Sequence, residues 1–341
     1  MYKIAIAGAA TLLGKELKEA ISDSPLAAAT FVLLDEDDAL GQLDQVGDEI
    51  TFVQAVLPDS FEKVDFTFFC GSEDLTRKHW RAALRAGSTV LDLSGALDRE
   101  PGVLVRTPWL GSDGSTADLF TPAVVPAHPA ALAISLLLDR LQQAAIVRFA
   151  AVTLLAPASE FGRAAMDELH QQTVSLLSFQ SLPRAIYDAQ GAFNLLSGLG
   201  ENAKPSLSAL EARIRRHYEV LGNGRSPVLA LQAILAPTFH GHTLSMAIEL
   251  ERPVEIVRLE EAIGGDHVDL VLEDTDSPSN VSATGQDDIL VRFRPIQEGR
   301  NPAETSRIWL WAASDNLRLY AQNAVACALD LRRLRPQGTV Q

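Results

Sequence analysis

Short apolar runs alternate with amphipathic stretches through the first third of the chain. Apolar runs between helical patterns are typical of β-α-β units, whose parallel strands are buried on both faces. The pattern therefore predicts an α/β domain over residues 1–127, with a Rossmann-like, doubly wound parallel sheet. The predicted strands are Lys3–Ala7, Phe31–Leu34, Asp65–Cys70 and Thr89–Leu93, and the predicted helices are Gly14–Ser22 and Leu75–Ala86.

The pattern changes after a helical stretch at Ile134–Gln143. Longer apolar runs follow, and they predict a mainly antiparallel sheet with helices between its strands. Residues 128–314 are thus expected to form a second, α+β domain. A helical pattern at Gln322–Leu334 lies beyond it, and we expect residues 315–341 to complete the first domain. The predicted strands are Val147–Leu155, Val228–Leu235 and Thr243–Glu251, and the predicted helices are Arg163–Leu177 and Leu207–Leu221.

Composition excludes several classes of partner. The chain of 341 residues has 29 basic and 44 acidic side chains, and its formal charge of −15 repels nucleic acid. Its first residues lack a signal-peptide pattern, and its most apolar window, 124–138, contains two prolines and a histidine. Both cysteines, Cys70 and Cys327, lie in apolar patterns without a disulfide framework. We therefore expect a cytoplasmic protein with neither a nucleic-acid nor a membrane partner.

A segment bounded by two glycines follows the first predicted strand. Gly8-Ala-Ala-Thr-Leu-Leu-Gly14 connects that strand to an amphipathic helix. In a dinucleotide-binding loop, such glycines allow a tight turn, and N–H groups at the helix start face a pyrophosphate. The same pattern also suits any tight β-α turn, so both interpretations stay open.

Acidic residues follow the second predicted strand, at Asp35–Asp38. Their charge would repel the 2′-phosphate of NADP. An Asp in this place can instead bind the ribose hydroxyls of NAD, and a solvated acidic loop is the alternative interpretation. For a nicotinamide cofactor, the tract therefore favours NAD over NADP.

Seven segments together resemble the aspartate-semialdehyde dehydrogenase family, in order and in spacing, across nearly the whole chain. The resemblance implies the family fold, a homodimer with its interface on the second domain, and a role in amino-acid biosynthesis. It also implies an oxidoreductase reaction, in which an aldehyde is oxidised and phosphorylated with NADP, or aspartyl phosphate is reduced with NADPH. The segments are Gly8–Gly14, Asp92–Leu97, Val125–His128, Ser159–Leu169, Ala192–Asn194, Pro237–His242 and Trp311–Arg318.

The family reaction needs a cysteine thiolate as nucleophile, a histidine as acid/base, and cations for the substrate's carboxylate and phosphate. In this sequence His128 stands at the cysteine position, between two prolines. Ala156 stands at the position of the family's glutamine, and Leu235 at that of the arginine that binds the substrate carboxylate. Asp98 takes the place of the phosphate-binding arginine, with Arg99 next to it. The resemblance thus implies that the thiol route to an acyl-enzyme is lost.

The acid/base position of the family is retained as His242. The resemblance implies NAD or NADP as cofactor. Two substitutions weaken the expected contacts, because Thr11 replaces the middle glycine of the loop and Asp38 lies near the place of the arginine for the 2′-phosphate. The positions that match the family's cofactor site are Gly8, Thr11, Leu12, Gly14, Ser314 and Asn316.

This selective loss of catalytic residues is similar to that of the Usg-type paralogues, which keep the family fold without the catalytic set. The chain is accordingly expected to be a catalytically degenerate dimer that serves as a scaffold, a regulator or a binder of a small ligand. The alternative is an active NAD(P)-dependent oxidoreductase for a less polar aldehyde or acyl substrate, with His128 and His242 as acid and base.

His128 has two further interpretations. It can cap backbone N–H groups at the helix start, with its pKa lowered by the helix dipole. It can also join His240 and His242 in binding zinc, if all three face one space. We favour the cap and assign no metal ligand.

Overall fold

The computed structural model describes residues 2–36, 40–47, 49–110, 117–118, 120–272, 275–296 and 301–333. The chain divides into two compact units, one made of the residues up to Ala127 together with those from Tyr320 onward, and the other of His128–Leu319. The second boundary falls within the last helix, whereas the sequence pattern suggested residue 315. Among the described residues, no helix combines the length and apolar composition needed to cross a membrane.

The first unit alternates strands with helices, as its apolar runs predict. Its elements before Ala127 are β1 (Lys3–Ala7), α1 (Leu12–Ser22), β2 (Thr30–Asp35), β3 (Leu43–Val46), β4 (Glu49–Phe52), β5 (Gln54–Ala55), a 3₁₀ turn (Pro58–Phe61), β6 (Phe66–Phe69), α2 (Glu73–Arg85), β7 (Thr89–Asp92), β8 (Leu104–Arg106) and β9 (Ala123–Pro126).

A parallel sheet forms the centre of this unit. In the described residues it has seven strands in the order β5-β2-β1-β6-β7-β9-β8, and strands β6 and β9 are buried along their whole length. Strand β1 pairs in parallel with β2 on one side and with β6 on the other. The chain therefore reverses its winding direction at the carboxyl end of β1, where open α/β sheets bind their ligands. This arrangement confirms the predicted doubly wound class.

The end of the chain belongs to the core of the same unit. Helix α8 (Asn316–Arg332) places Ala321, Ala324 and Cys327 in the cluster that contains Ile4 and Ile6. Burial raises the pKa of the Cys327 thiol far above its ordinary value, and the neutral thiol behaves as a small apolar side chain.

The second unit contains a mixed sheet with helices between its strands. Its elements are α3 (Pro129–Ala144), β10 (Val147–Ala156), a 3₁₀ turn (Ala158–Phe161), α4 (Arg163–Leu177), α5 (Leu207–Gly222), β11 (Val228–Leu235), β12 (His242–Glu255), α6 (Ile256–Ile263), β13 (Val268–Leu270), α7 (Asn280–Ala283), β14 (Ile289–Ile296) and β15 (Glu304–Ser314).

The sheet of the second unit has the strand order β11-β10-β12-β15-β14-β13 within the described residues. The three central pairings are antiparallel, and the two edge pairings are parallel. Its register sets the positions of several predicted site residues. Ala156 is the direct neighbour of Leu235, and His242 is the direct neighbour of Ser314.

Candidate functional site

The loop after β1 keeps two close backbone contacts that require glycine. Gly8 has a φ of +90°, and a Cβ there would lie 2.3 Å from the backbone nitrogen of Gly71. A Cβ on Gly14, in the first turn of α1, would lie 2.2 Å from the carbonyl oxygen of Gly8. Thr11 caps the helix, because its hydroxyl accepts from the N–H of Gly14 at 3.0 Å. Leu12 begins the helix and is half-buried.

Asp35, at the end of β2, binds this loop. Its Oδ2 accepts from the N–H of Ala10 at 2.7 Å, and its Oδ1 accepts from the N–H of Glu36 at 2.8 Å. The carboxylate therefore holds the loop in place, a role that neither sequence interpretation of the acidic tract included. Asp37 and Asp38 lie outside the described residues.

His128 is the N-cap of α3, so the predicted capping role is confirmed. Its Nδ1 accepts a hydrogen bond from the N–H of Ala130 at 3.2 Å, and Pro129 takes the first helical position, which needs no N–H. The backbone N–H of His128 donates to Nδ1 of His217, a buried residue of α5, at 2.9 Å. The residue is 1 % exposed.

Glu160 lies between the two predicted site histidines. Its Oε1 is 2.8 Å from Nε2 of His128, and its Oε2 is 2.7 Å from Nε2 of His242. The two imidazole rings face each other, with centroids 5.8 Å apart. Only 11 % of the glutamate side chain and 1 % of His242 are exposed. The structure thus brings His128 and His242 together through a carboxylate that the sequence reasoning did not select.

The protonation states in this cluster follow from burial and hydrogen bonding. Burial lowers the pKa of His128 below its ordinary value; Glu160 opposes this effect, and Arg213 and His242 add to it. Burial alone would raise the pKa of Glu160, but its contacts with His128 and His242 outweigh burial and lower the pKa. Both pKa shifts are consistent with an ionised Glu160 that accepts hydrogen bonds from two imidazole N–H groups.

The hydrogen bonds of His128 do not favour the zinc hypothesis. Because Nδ1 accepts from a backbone N–H, the proton of the neutral ring is on Nε2, and this nitrogen has no lone pair for a metal. His240 precedes the first residue of β12. Among the described residues, no group of three or more His, Cys, Asp or Glu side chains is arranged to hold a metal ion.

Asn316 holds the segments that carry Glu160 and His242. Its Oδ1 accepts from the hydroxyl of Ser159 at 3.1 Å and from the N–H of Gly241 at 3.1 Å. Asn316 and Ser314 were predicted at the cofactor site, and both are buried in the second unit. The observed contacts give Asn316 a structural role beside the imidazoles.

Two of the positions that the resemblance predicts to be substituted, Ala156 and Leu235, are apolar and buried side by side. Ala156 and Leu235 are adjacent across β10 and β11 and are almost fully buried. Leu235 also exchanges two backbone hydrogen bonds with Leu196. In the first unit, Asp98 is half-buried, and Arg99 is exposed.

Sequence reasoning missed two members of the site, the largely buried Glu160 and the fully buried His217. Glu160 lies inside a segment that carried the resemblance, but a single carboxylate has no periodic signal. His217 sits on a predicted helix, where its position gave no reason to prefer it to any other histidine. Each contacts His128 from far along the chain.

The two units correspond to two family models. Residues 3–147 match the semialdehyde dehydrogenase NAD binding domain, and residues 138–319 match the semialdehyde dehydrogenase dimerisation domain. The chain belongs to the semialdehyde dehydrogenase family. This membership confirms the family suggested by the seven segments.

Individual members of the semialdehyde dehydrogenase family match over almost their full length. A USG-1 protein homolog of Pseudomonas aeruginosa is 29 % identical over 92 % of this chain and 93 % of its own. An aspartate-semialdehyde dehydrogenase of Rickettsia bellii is 24 % identical over 97 % of both chains. The solved structure of a probable aspartate-semialdehyde dehydrogenase from Pseudomonas aeruginosa has a TM-score of 0.84 at 28 % identity, covering 97 % of this chain and 98 % of that one.

The NAD binding domain of the semialdehyde dehydrogenase family implies a nicotinamide nucleotide, and the loop of this chain fits its phosphates in part. Gly8 and Gly14 allow the tight turn of the loop, because a Cβ at either position would clash with neighbouring backbone. The N–H of Ala10 is taken by Asp35 and that of Gly14 by Thr11, so the first-turn N–H groups of Leu12 and Leu13 are those suited to a phosphate. A bound nicotinamide would supply the hydride acceptor or donor.

Proposed function

We propose that this semialdehyde dehydrogenase family member is a catalytically degenerate, dimeric paralogue that does not convert aspartate semialdehyde through an acyl-enzyme. The observation that carries the proposal is the engagement of both ring nitrogens of His128, which stands at the nucleophile position. The match to the family's dimerisation domain supports the dimer, and the similarity to a USG-1 protein homolog supports a paralogue.

An imidazole attacks an acyl carbon with a nitrogen lone pair. The lone pair of His128 is on Nδ1 and points at the N–H of Ala130, and Nε2 carries a proton held by Glu160. Attack would require loss of the helix cap, at a cost of about 0.5–2 kcal/mol, and loss of a hydrogen bond to the largely buried Glu160. The N-terminus of α3 would stabilise a thiolate at this position. In this chain its N–H group donates instead to the neutral Nδ1 of His128.

The second support for the proposal is the apolar neighbourhood. Leu235 and Ala156 offer no hydrogen bond to a substrate carboxylate, and both are buried side by side. An arginine fork gives a carboxylate two charge-assisted hydrogen bonds that a leucine cannot replace. A substrate with a free α-carboxylate would therefore lose most of its orientation at this position.

An assay with aspartate semialdehyde, phosphate and either NAD or NADP tests the proposal. We expect no turnover above a blank without protein, at concentrations at which the aspartate-semialdehyde dehydrogenase of Rickettsia bellii is active. His128→Cys tests whether the nucleophile alone is missing, and we expect no turnover from it because the other family positions are also substituted. Robust turnover by the unaltered chain would end the proposal.

A second candidate function is an oxidoreductase acting on a less polar aldehyde or acyl substrate. The observation that favours it concerns His242, whose buried Nδ1 has no hydrogen-bond partner among the described residues. With the Nε2 proton donated to Glu160, this nitrogen keeps a lone pair suited to a general base. Fluorescence titration with NAD and NADP discriminates the candidates, since absence of binding at millimolar nucleotide excludes hydride transfer. If a nucleotide binds, we expect NAD to bind more tightly than NADP, because of the acidic residues after β2.

The remaining parts of the proposal are a cytoplasmic location and a homodimer. The absence of a disulfide framework from the sequence supports the first, since Cys70 and Cys327 are both free and buried. Gel filtration with light scattering tests the second, and a monomer at micromolar concentration would contradict it.

A further inference from the structure

Glu160 fills the space between the imidazoles at the family's nucleophile and acid/base positions. We propose that His128 and His242 form a clamp for a small carboxylate, and that Glu160 is the tethered ligand that occupies it. The inference concerns the same site as the proposed function and rests on it in one respect, namely that no catalytic cycle displaces Glu160. It goes beyond the proposed function by naming the chemistry that the site recognises.

The clamp presents two N–H donors to one carboxylate. On His128, capping of α3 occupies Nδ1 and leaves the Nε2 proton directed at Oε1, 2.8 Å away. On His242, Nε2 lies 2.7 Å from Oε2. Each oxygen of the carboxylate is therefore matched by one donor. Hydrogen bonds to an ionised acceptor are roughly twice as strong as those between neutral groups. Burial removes the competition of water for these donors.

The tether that holds Glu160 is rigid. The 3₁₀ turn Ala158–Phe161 is held by two backbone hydrogen bonds, from the N–H of Ala158 to Thr238 at 2.8 Å and from the N–H of Ser159 to Phe239 at 2.9 Å. Asn316 adds a bond to the hydroxyl of Ser159. A pre-positioned group has a high effective concentration, so free carboxylates cannot compete with Glu160 in the unaltered protein.

Removing the tethered group should therefore reveal the clamp. Truncation of Glu160 to alanine deletes one methylene and the carboxylate, which is the size and charge of acetate. The variant keeps both imidazoles and the turn that carries residue 160. Glu160→Gln is the matched control, because it fills the same volume without the charge and leaves no room for acetate.

The experiment compares the unaltered chain, Glu160→Ala and Glu160→Gln by thermal unfolding in sodium acetate and in sodium chloride at equal ionic strength. For Glu160→Ala we expect the midpoint to rise with acetate and to saturate, and acetamide to have no effect. Isothermal titration calorimetry should show acetate binding to Glu160→Ala at least about tenfold more tightly than to the other two proteins. A saturable acetate effect confined to the alanine variant supports the clamp.

Equal midpoints of Glu160→Ala in acetate and chloride would overturn the proposal, as would equal acetate binding by Glu160→Gln. If Glu160→Ala does not fold in chloride, its folded yield is measured by gel filtration in both salts, together with that of Glu160→Ser. Recovery in acetate alone supports the clamp, and equal yields of both variants in the two salts refute it. The turnover assay decides the proposed function separately, since acetate binding does not depend on its result.

Discussion

The imidazole rings of His128 and His242 face each other at a centroid distance of 5.8 Å, with 25° between their planes. This distance is bridged by Glu160, which accepts a hydrogen bond from Nε2 of each ring. The two positions to which the family resemblance assigns nucleophile and acid/base are thus linked through a carboxylate. The arrangement stabilises a closed cluster, and each part of it leads to a measurable consequence.

Replacement of His128 should reveal its two structural roles. We expect His128→Ala to lower the free energy of unfolding by about 2–4 kcal/mol, because it removes the cap of α3 and one donor to the largely buried Glu160. His128→Asn should cost less, by about 1 kcal/mol, because asparagine can still cap the helix. Urea denaturation followed by circular dichroism measures both values. Equal losses for the two variants would contradict the capping role.

Acid should destabilise the chain through the same cluster. Burial lowers the pKa of His128 from its ordinary 6.5 in the folded state, so below that pH the unfolded chain binds a proton that the folded chain does not. Stability should therefore fall as the pH decreases below about 6.5, by at most about 1.4 kcal/mol per pH unit for this group. Glu160, whose pKa is lowered from 4.5 despite burial, adds a further loss below that pH.

The control for this pH dependence is His128→Asn, which removes one titrating group and keeps the cap. His79 and His267 also have pKa values lowered by burial. Their contribution to the pH dependence of stability remains in the variant. The difference in unfolding free energy between the two proteins should be constant above pH 7 and shrink as the pH falls towards 5. Urea midpoints measured from pH 4 to 8 provide the comparison, and parallel curves throughout would show that His128 does not contribute.

Asn316 should be important for stability because it hydrogen-bonds the segments that carry Glu160 and His242. Asn316→Ala removes the acceptor shared by Ser159 and Gly241, and we expect a loss of about 2–3 kcal/mol from the two unsatisfied donors. Asn194→Ala is the matched control, because this exposed asparagine makes one 3.2 Å hydrogen bond to Gln190. Its cost should stay within about 0.5 kcal/mol. Similar losses for the two variants would refute the bridging role.

The loop after β1 should tolerate no side chain at Gly8. In Gly8→Ala the Cβ would lie 2.3 Å from a backbone nitrogen, at a φ of +90°. We expect a loss of about 3 kcal/mol or more, from strain and overpacking together. Gly87→Ala has a similar φ of +85° but open space around its Cβ, so it should lose only about 1 kcal/mol. Differential scanning calorimetry of both variants separates steric overlap from backbone strain.

Much of the fold could be predicted from local patterns. Strand β1 and helix α4 have the predicted bounds, and β11 does as well. These elements have clear periodicity because one face or both faces are buried. The hairpin of β3 and β4 was missed, since exposed Leu43, Ile50 and Phe52 give it no alternation between core and solvent. The sequence pattern also did not predict strands β13, β14 and β15, which complete one side of the second sheet.

The candidate site was predicted less completely than the fold. The resemblance selected His128 and His242, and the structure brings them together. The resemblance also selected Asn316 for the cofactor site. In the structure, the side chain of Asn316 accepts hydrogen bonds from Ser159 and Gly241. Asp35 was considered for ribose binding, and in the structure its carboxylate holds Ala10. In both cases a polar side chain accepts hydrogen bonds from donors that only the folded chain places nearby.

The sequence by itself determined the two α/β and α+β patterns and the glycine loop, because these depend on residue type and on short-range periodicity. The place of His128 at the family's cysteine position came from the resemblance alone. Only the tertiary structure decided what His128 does. Glu160 is 32 positions from His128 and 82 from His242, and no local signal relates residues at such separations. The turn after β10 and the start of β12 bring them within hydrogen-bond distance. Burial and the contact with Glu160 then shift the pKa of His128 in opposite directions, and burial prevails.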